Sequence, residues 1–187
     1  DSSGRGFSFL RDEPLDMRFD TTDQKKAEDV VNHYSPLRLE NVLHLFGEEP
    51  FAKRIARAIV EQRKSHAIRT TIELVTLLRR SLPVWYKRRN AHFATRTFQA
   101  LRIEVNNELQ NLQTGLREAA HLLQHGGRIV LISFHSLEVR MIKTFFKEGE
   151  EGKMFQALHR KAIRPSRQEI AFNNRARSAF LRAWEHL

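Results

Sequence analysis

Apolar residues recur along this chain at two different periods, and the change of period divides it. Leu39, Val42, Leu43 and Phe46 fall at three- and four-residue steps, the spacing that lines one face of a helix. Ser35-Pro36 supplies the start signal, with serine as cap and proline at the first helical position, and Gly47 the stop. A second helix is predicted to begin near Glu49 and Pro50, with Phe51, Ile55, Ala58 and Ile59 on one side and Arg54, Arg57 and Glu61 on another. A third starts at Thr70, whose spacing to Glu73 makes a capping box, and ends before Pro83. Its inner face is Leu74, Val75, Leu78 and Leu82. Residues 20–82 therefore read as a compact helical unit. Residues 1–34 read as mostly irregular, because Gly4, Gly6, Pro14 and scattered aspartates break the pattern.

A basic, aromatic linker from Pro83 to Ala94 leads into a long helix predicted from about Thr95 to Leu123. It is carried by Phe98, Leu101, Val105, Leu112, Leu116, Ala119 and Leu123, and Gly126-Gly127 stops it. Arg128 to Phe134 is then a short, continuously apolar run, as expected of a strand buried on both faces. A helix from Ser136 to Lys147 and a charged loop from Gly149 to Lys153 follow. Two more strands are predicted near 157–164 and 178–185, flanking a short helix capped by Ser166 with Glu169. Helices alternating with strands make an α/β arrangement. Three strands form a small open sheet with unpaired edges, so the expectation is that further strands precede Asp1.

Composition narrows the function. With 41% hydrophobic residues the 187-residue chain can bury a core, so disorder is excluded. The absence of cysteine excludes disulfides, thiolate metal sites and cysteine nucleophiles. The run Ile129–Ile132 is too short to span a bilayer, and no signal peptide is visible at Asp1-Ser2-Ser3-Gly4. A formal charge of +10 calls for a polyanionic partner. The cations cluster: Lys53, Arg54, Arg57, Arg63 and Lys64; Lys87, Arg88 and Arg89 beside Trp85 and Tyr86; Arg175, Arg177 and Arg182. Aromatic rings among cations suit stacking on bases and neutralising phosphate, which favours nucleic acid over a membrane surface.

Ser133-Phe134-His135-Ser136 stands where a buried strand gives way to a helix, the place where open α/β sheets bind ligands. One reading is structural, with Ser136 capping the helix and Phe134 filling the core. The other is a base pocket, in which Phe134 stacks and Ser133 or His135 hydrogen-bonds a base edge. His121 and His125 share a helix face but lack the glutamate of a zincin motif, so no metal site is expected. Ser133, His135 and Asp16 lack a nucleophile elbow, which argues against a triad. No glycine-rich phosphate loop occurs either; Gly4-Arg5-Gly6 has neither a preceding strand nor a third glycine.

Five stretches, in order, resemble the RsmH (MraW) family of S-adenosylmethionine-dependent methyltransferases, which modify the exocyclic N4 of a cytosine in small-subunit ribosomal RNA. They are Arg5–Phe9 with Pro14–Arg18, Gly47–Glu61, His92–Glu108, Gly126–Glu138 and Ile163–Arg182. Departures from the family pattern fall at Glu13, Pro50, Phe93, Val139 and Asn174, and Val139 removes a charge beside the base pocket. The resemblance implies the C-terminal half of a Rossmann-like class I methyltransferase sheet with an inserted all-helical substrate domain. Residues 1–19 would be an active-site loop, 20–90 the helical domain and 91–187 the second half of the methyltransferase domain. The S-adenosylmethionine site would lie upstream of Asp1, with no cofactor contacts in this chain. The implied base-side residues are Ser133, Phe134, His135, Ser136 and Asp16, with Asp16 a hydrogen-bond acceptor. RNA contacts would come from Phe7, Phe9, Arg54, Arg57, Arg96, Arg102, Arg175 and Arg177. The implied partner is small-subunit rRNA in the small ribosomal subunit, with an N-terminal half or a dimer partner completing the enzyme. The cytoplasm is the expected location, a mitochondrion or plastid the alternative. An inactive relative serving ribosome assembly is the second functional reading, and an unrelated nucleic-acid-binding module the third.

Overall fold

In the computed structural model, which describes residues 4–88 and 91–187, helix starts follow side-chain chemistry. Ser35 accepts a hydrogen bond from the Arg38 N–H and opens α2 (Pro36–Gly47), and Thr70 with Glu73 forms a reciprocal box at α4 (Thr71–Ser81). Between them lies α3 (Ala52–Ser65), whose inward positions Ile55 and Ile59 are fully buried with Leu39, Leu43, Leu74 and Leu78. Preceding these is α1 (Ala27–His33), inside the stretch read as irregular. Its seven residues bury Ala27, Val30 and Val31, too short a run for periodicity to register. The linker holds a single helical turn, α5 (Val84–Lys87). Arg89, part of the predicted cation cluster, lies outside the described residues.

The predicted long helix is two helices. α6 (Thr95–Asn106) ends where Asn107 turns left-handed at φ 50°, and α7 (Glu108–Leu122) follows. Asparagine tolerates that conformation better than most residues. Asn106 fixes the break: its amide donates to the carbonyls of Met17 (2.7 Å) and Arg102 (2.8 Å) and accepts from the Phe19 N–H (2.6 Å). Apolar spacing continues through both helices, which is why the break is invisible to it.

The chain divides into two compact units, Asp1–Glu108 and Leu109–Leu187. In the first, α6 lies along α2 closely enough that a Cβ added to Gly47 would stand 2.7 Å from the Arg96 carbonyl oxygen. The division therefore follows α6. The opening segment is knitted into the same unit. Leu15 and Met17 are buried, the Leu15 N–H donates to the Arg69 carbonyl at 2.9 Å, and the Thr71 N–H donates to the Glu13 carbonyl at 2.9 Å.

The second unit is an α/β layer. After α7 come β1 (Arg128–Ser133), α8 (Ser136–Glu151), β2 (Phe155–Ala157), α9 (Arg167–Phe172), a 3-10 turn (Asn174–Ser178) and β3 (Phe180–His186). The sheet order is β1-β3-β2, with both pairs antiparallel and Ser133 opposite Phe180. Phe146 of α8 stacks on Trp184 of β3 at 4.0 Å, and Leu116, Ile142 and Phe155 complete the core. Two strand expectations are corrected. Within this chain β1 is covered on one face only: Val130 and Ile132 are each 57% exposed, while Ile129 and Leu131 pack on the core. An antiparallel sheet covered on one side requires that alternation. The strand expected at 157–164 is found earlier, at Phe155–Ala157, sharing only Ala157 with that range, and Ile163 makes an isolated bridge to Leu181. His159, Arg160 and Lys161 interrupt it with successive polar positions that offer no apolar face.

Candidate functional site

β1 ends at Ser133 and α8 begins at Ser136, so Phe134 and His135 are the whole connection between them. Reciprocal hydrogen bonds close this corner. The His135 Nδ1 accepts from the Glu138 N–H at 3.4 Å, while the Glu138 carboxylate accepts from the N–H groups of Phe134 (2.7 Å) and His135 (3.3 Å). The helix cap is thus His135, not Ser136. With Nδ1 accepting, a neutral ring carries its proton on Nε2, which lies 3.3 Å from Glu138 Oε1. Ser133 is buried, and its hydroxyl donates to the Phe180 carbonyl at 3.3 Å. Phe134 is 50% exposed, so the core-filling alternative does not hold for it.

Phe134, His135 and Ser136 line a cleft of about 880 Å³ together with α8 and β3. Helical period brings Arg140, Lys143 and Lys147 of α8 to its wall, and strand alternation brings Phe180, Arg182 and Trp184 of β3 to the other. His159 and Arg160, just beyond β2, extend the lining. The cleft is therefore strongly cationic. Its one carboxylate, Glu150, accepts from the Trp184 indole N–H at 3.0 Å. The Arg182 Nε is buried without a hydrogen-bond partner among the described residues. Arg140, Lys143, Lys147 and Arg160 were missed as candidate contacts. For the three on α8 the signal is a cation at nearly every turn of one helix face; Arg160, beyond β2, has no such periodic signal.

The remaining candidates divide by environment. Both Asp16 oxygens are engaged: Arg18 donates to them from Nε (2.8 Å) and a terminal nitrogen (2.7 Å). That hydrogen-bonded guanidinium holds the Asp16 carboxyl below the ordinary carboxylate range. Asp16 thus fastens the opening loop. Phe7 and Phe9, implied as RNA contacts, are half-buried: Phe7 stacks on Phe19 at 5.6 Å and Phe9 on His92 at 4.5 Å. Burial, with a smaller contribution from Arg79, pushes the His92 imidazole below its usual value. Arg96 donates to the Glu48 carbonyl at 2.6 Å and Arg102 forks onto Glu108 at 2.7 and 2.9 Å, so both are bound to their own chain. Arg54 and Arg57 are exposed on α3, and Arg175 and Arg177 are exposed on the 3-10 turn, outside the cleft lining.

The profile of the MraW methylase family matches residues 1–187. The chain belongs to this family. Curated relatives carry the name ribosomal RNA small subunit methyltransferase H. The relative from Persephonella marina is 49% identical over 178 residues, covering 95% of this chain and 61% of the relative. That from Kosmotoga olearia is 50% identical over 188 residues, covering 100% of this chain and 62% of the relative. That from Leptospira interrogans serovar Lai is 47% identical over 180 residues, covering 96% and 54%. The MraW-family chain thus spans about three fifths of the length of the first two relatives.

Methyltransferases of this kind generally use S-adenosylmethionine. The α8–β3 cleft does not fit that group. A sulfonium cation would meet the Arg140, Lys143, Lys147, Arg160 and Arg182 cluster, and the single carboxylate of the cleft is bonded to Trp184. What the cleft does fit is an anion. Among the described residues, no helix is long and apolar enough to cross a membrane.

Proposed function

We propose that the protein containing this chain transfers a methyl group from S-adenosylmethionine to the N4 amine of a cytosine in small-subunit rRNA. In this reading residues 109–187 form the RNA-receiving wall of the enzyme, as the second part of a Rossmann-like sheet. The helices within 20–90 are the inserted substrate domain, and the methyl donor is held by residues outside this chain. Family membership and the names of the relatives support the class of reaction. The observation that carries the RNA side is the exposed Phe134 ring on a Glu138-clamped corner, opening into a cationic cleft.

An exocyclic amine is a poor nucleophile because its lone pair is delocalised into the ring, so the enzyme gains most by holding the base rigidly. The residues here do that work. Phe134 offers an aromatic face for the base. His135 and Glu138 lock the turn from which that face projects, acting as positioning residues, and Ser133 ties the strand end to β3. Ser136 lines the same cleft. The opening loop, held by Asp16 and Arg18, and exposed Arg54, Arg57, Arg175 and Arg177 are assigned to contacts with the wider rRNA. The place of action is the cytoplasm, on the small ribosomal subunit.

The test is to incubate the full-length protein with S-adenosylmethionine and undermethylated small-subunit particles, then resolve the rRNA nucleosides by mass spectrometry. The expected product is N4-methylcytidine at one position. Methylation at another atom would overturn the assignment. Particle binding without any methyl transfer would instead establish an inactive assembly factor.

A further inference from the structure

The cleft extends well beyond the corner that presents Phe134, and the proposed chemistry leaves most of it without a role. Its volume of about 880 Å³ lies near the top of the range of about 300–1,000 Å³ typical of ligand sites. One flipped base against Phe134 accounts for the corner alone. The rest is walled by cations from three separate elements: Lys143 and Lys147 on α8, Arg160 beyond β2, and Arg182 on β3. Such convergence raises self-repulsion unless an anion lies between the walls. Arg182 adds an independent sign, since its buried Nε has no hydrogen-bond partner among the described residues. A buried donor left so is costly, and a phosphate oxygen is the acceptor that guanidinium groups match best.

We propose that this cleft is a track for the phosphate backbone of a single RNA strand flanking the target base, held by Lys143, Lys147, Arg160 and Arg182. The proposal rests on the RNA-receiving role given above. Lys143 and Lys147 are four residues apart, about 6 Å along the helix, so they follow one strand direction. The cations are recessed between α8 and β3 and do not border a broad apolar face, which disfavours a lipid surface. A recessed groove with an aromatic ring at its corner suits an unpaired strand with splayed bases and not a closed duplex.

The experiment uses the full-length protein and a labelled single-stranded RNA dodecamer containing cytosine. Anisotropy titrations run from 50 to 300 mM salt, with the matching duplex and polyglutamate as competitors, on wild type, Lys143→Ala/Lys147→Ala and Lys143→Arg/Lys147→Arg. For the alanine pair, the slope of log affinity against log salt becomes shallower by about 1.4, from ~0.7 per lost phosphate contact. The arginine pair keeps the wild-type slope, and the single strand outcompetes both duplex and polyglutamate. An unchanged slope in the alanine pair overturns the track. So does equal competition by duplex, or displacement by polyglutamate at matched charge, which would mark an acidic-protein site. Nucleoside analysis of the same preparations separates the two readings. N4-methylcytidine formed with an unchanged slope leaves the methyl transfer standing and removes the track. A shallower slope without any methylated cytidine does the reverse.

Discussion

Glu138 joins α8 to the turn before it through hydrogen bonds to two successive backbone N–H groups, at 2.7 and 3.3 Å. Charge-assisted bonds of this kind contribute about 1.5–3 kcal/mol. Glu138→Ala is expected to lower stability by roughly that amount in urea unfolding and to release Phe134 from its fixed direction. Asp16 makes a pH-dependent contribution of the same type. Its pKa in the folded chain is depressed by the Arg18 hydrogen bonds, so the stabilisation is present above the unfolded carboxylate value and is lost as pH falls through the folded one. Unfolding midpoints should therefore drop more steeply below about pH 4 in wild type than in Asp16→Asn. Parallel acid limbs would refute the linkage. Tyr34 behaves oppositely: burial and the hydrogen bond to Glu104 push its hydroxyl up to about 12. Its contribution holds below the ordinary tyrosine value near 10 and disappears as pH rises through about 12, which ultraviolet absorbance titration reads directly.

Elements were legible where one signal governed them. Ser35-Pro36, Thr70 with Glu73 and Ser166 all start helices through the side-chain contacts their spacing implies. Elements set by tertiary partners were not. The α6–α7 break depends on Asn106 reaching the Met17 carbonyl, a contact 89 residues distant in sequence. β1 reads as a continuous apolar run, yet its two faces differ because α8 covers only one of them. The candidate site was legible at its corner, where strand end, aromatic and hydroxyls lie together in sequence. Its cationic walls were not, since they assemble from α8, β3 and the segment after β2. Close packing of α2 on α6 is testable at this scale. Gly47→Ala would press a methyl group onto the Arg96 carbonyl, 2.7 Å away in backbone that cannot rotate aside. The expected cost is about 1–3 kcal/mol, despite the better helix propensity of alanine; a gain in thermal midpoint would contradict the packing.

At the scale of the whole molecule, charge and shape point the same way. The chain carries +10, and the described α8–β3 cleft gathers five of its cations around one carboxylate. At one corner of that cleft stands Phe134, half exposed on a turn that Glu138 holds in place. Stacking of a base on such a ring is worth about 1–3 kcal/mol. The decisive measurement is kcat/KM for cytosine methylation by full-length Phe134→Ala beside its RNA-binding salt slope. A fall of roughly 5- to 150-fold with the slope unchanged is the predicted result. Undiminished methylation by that variant would contradict the assignment of this corner as the seat of the target base.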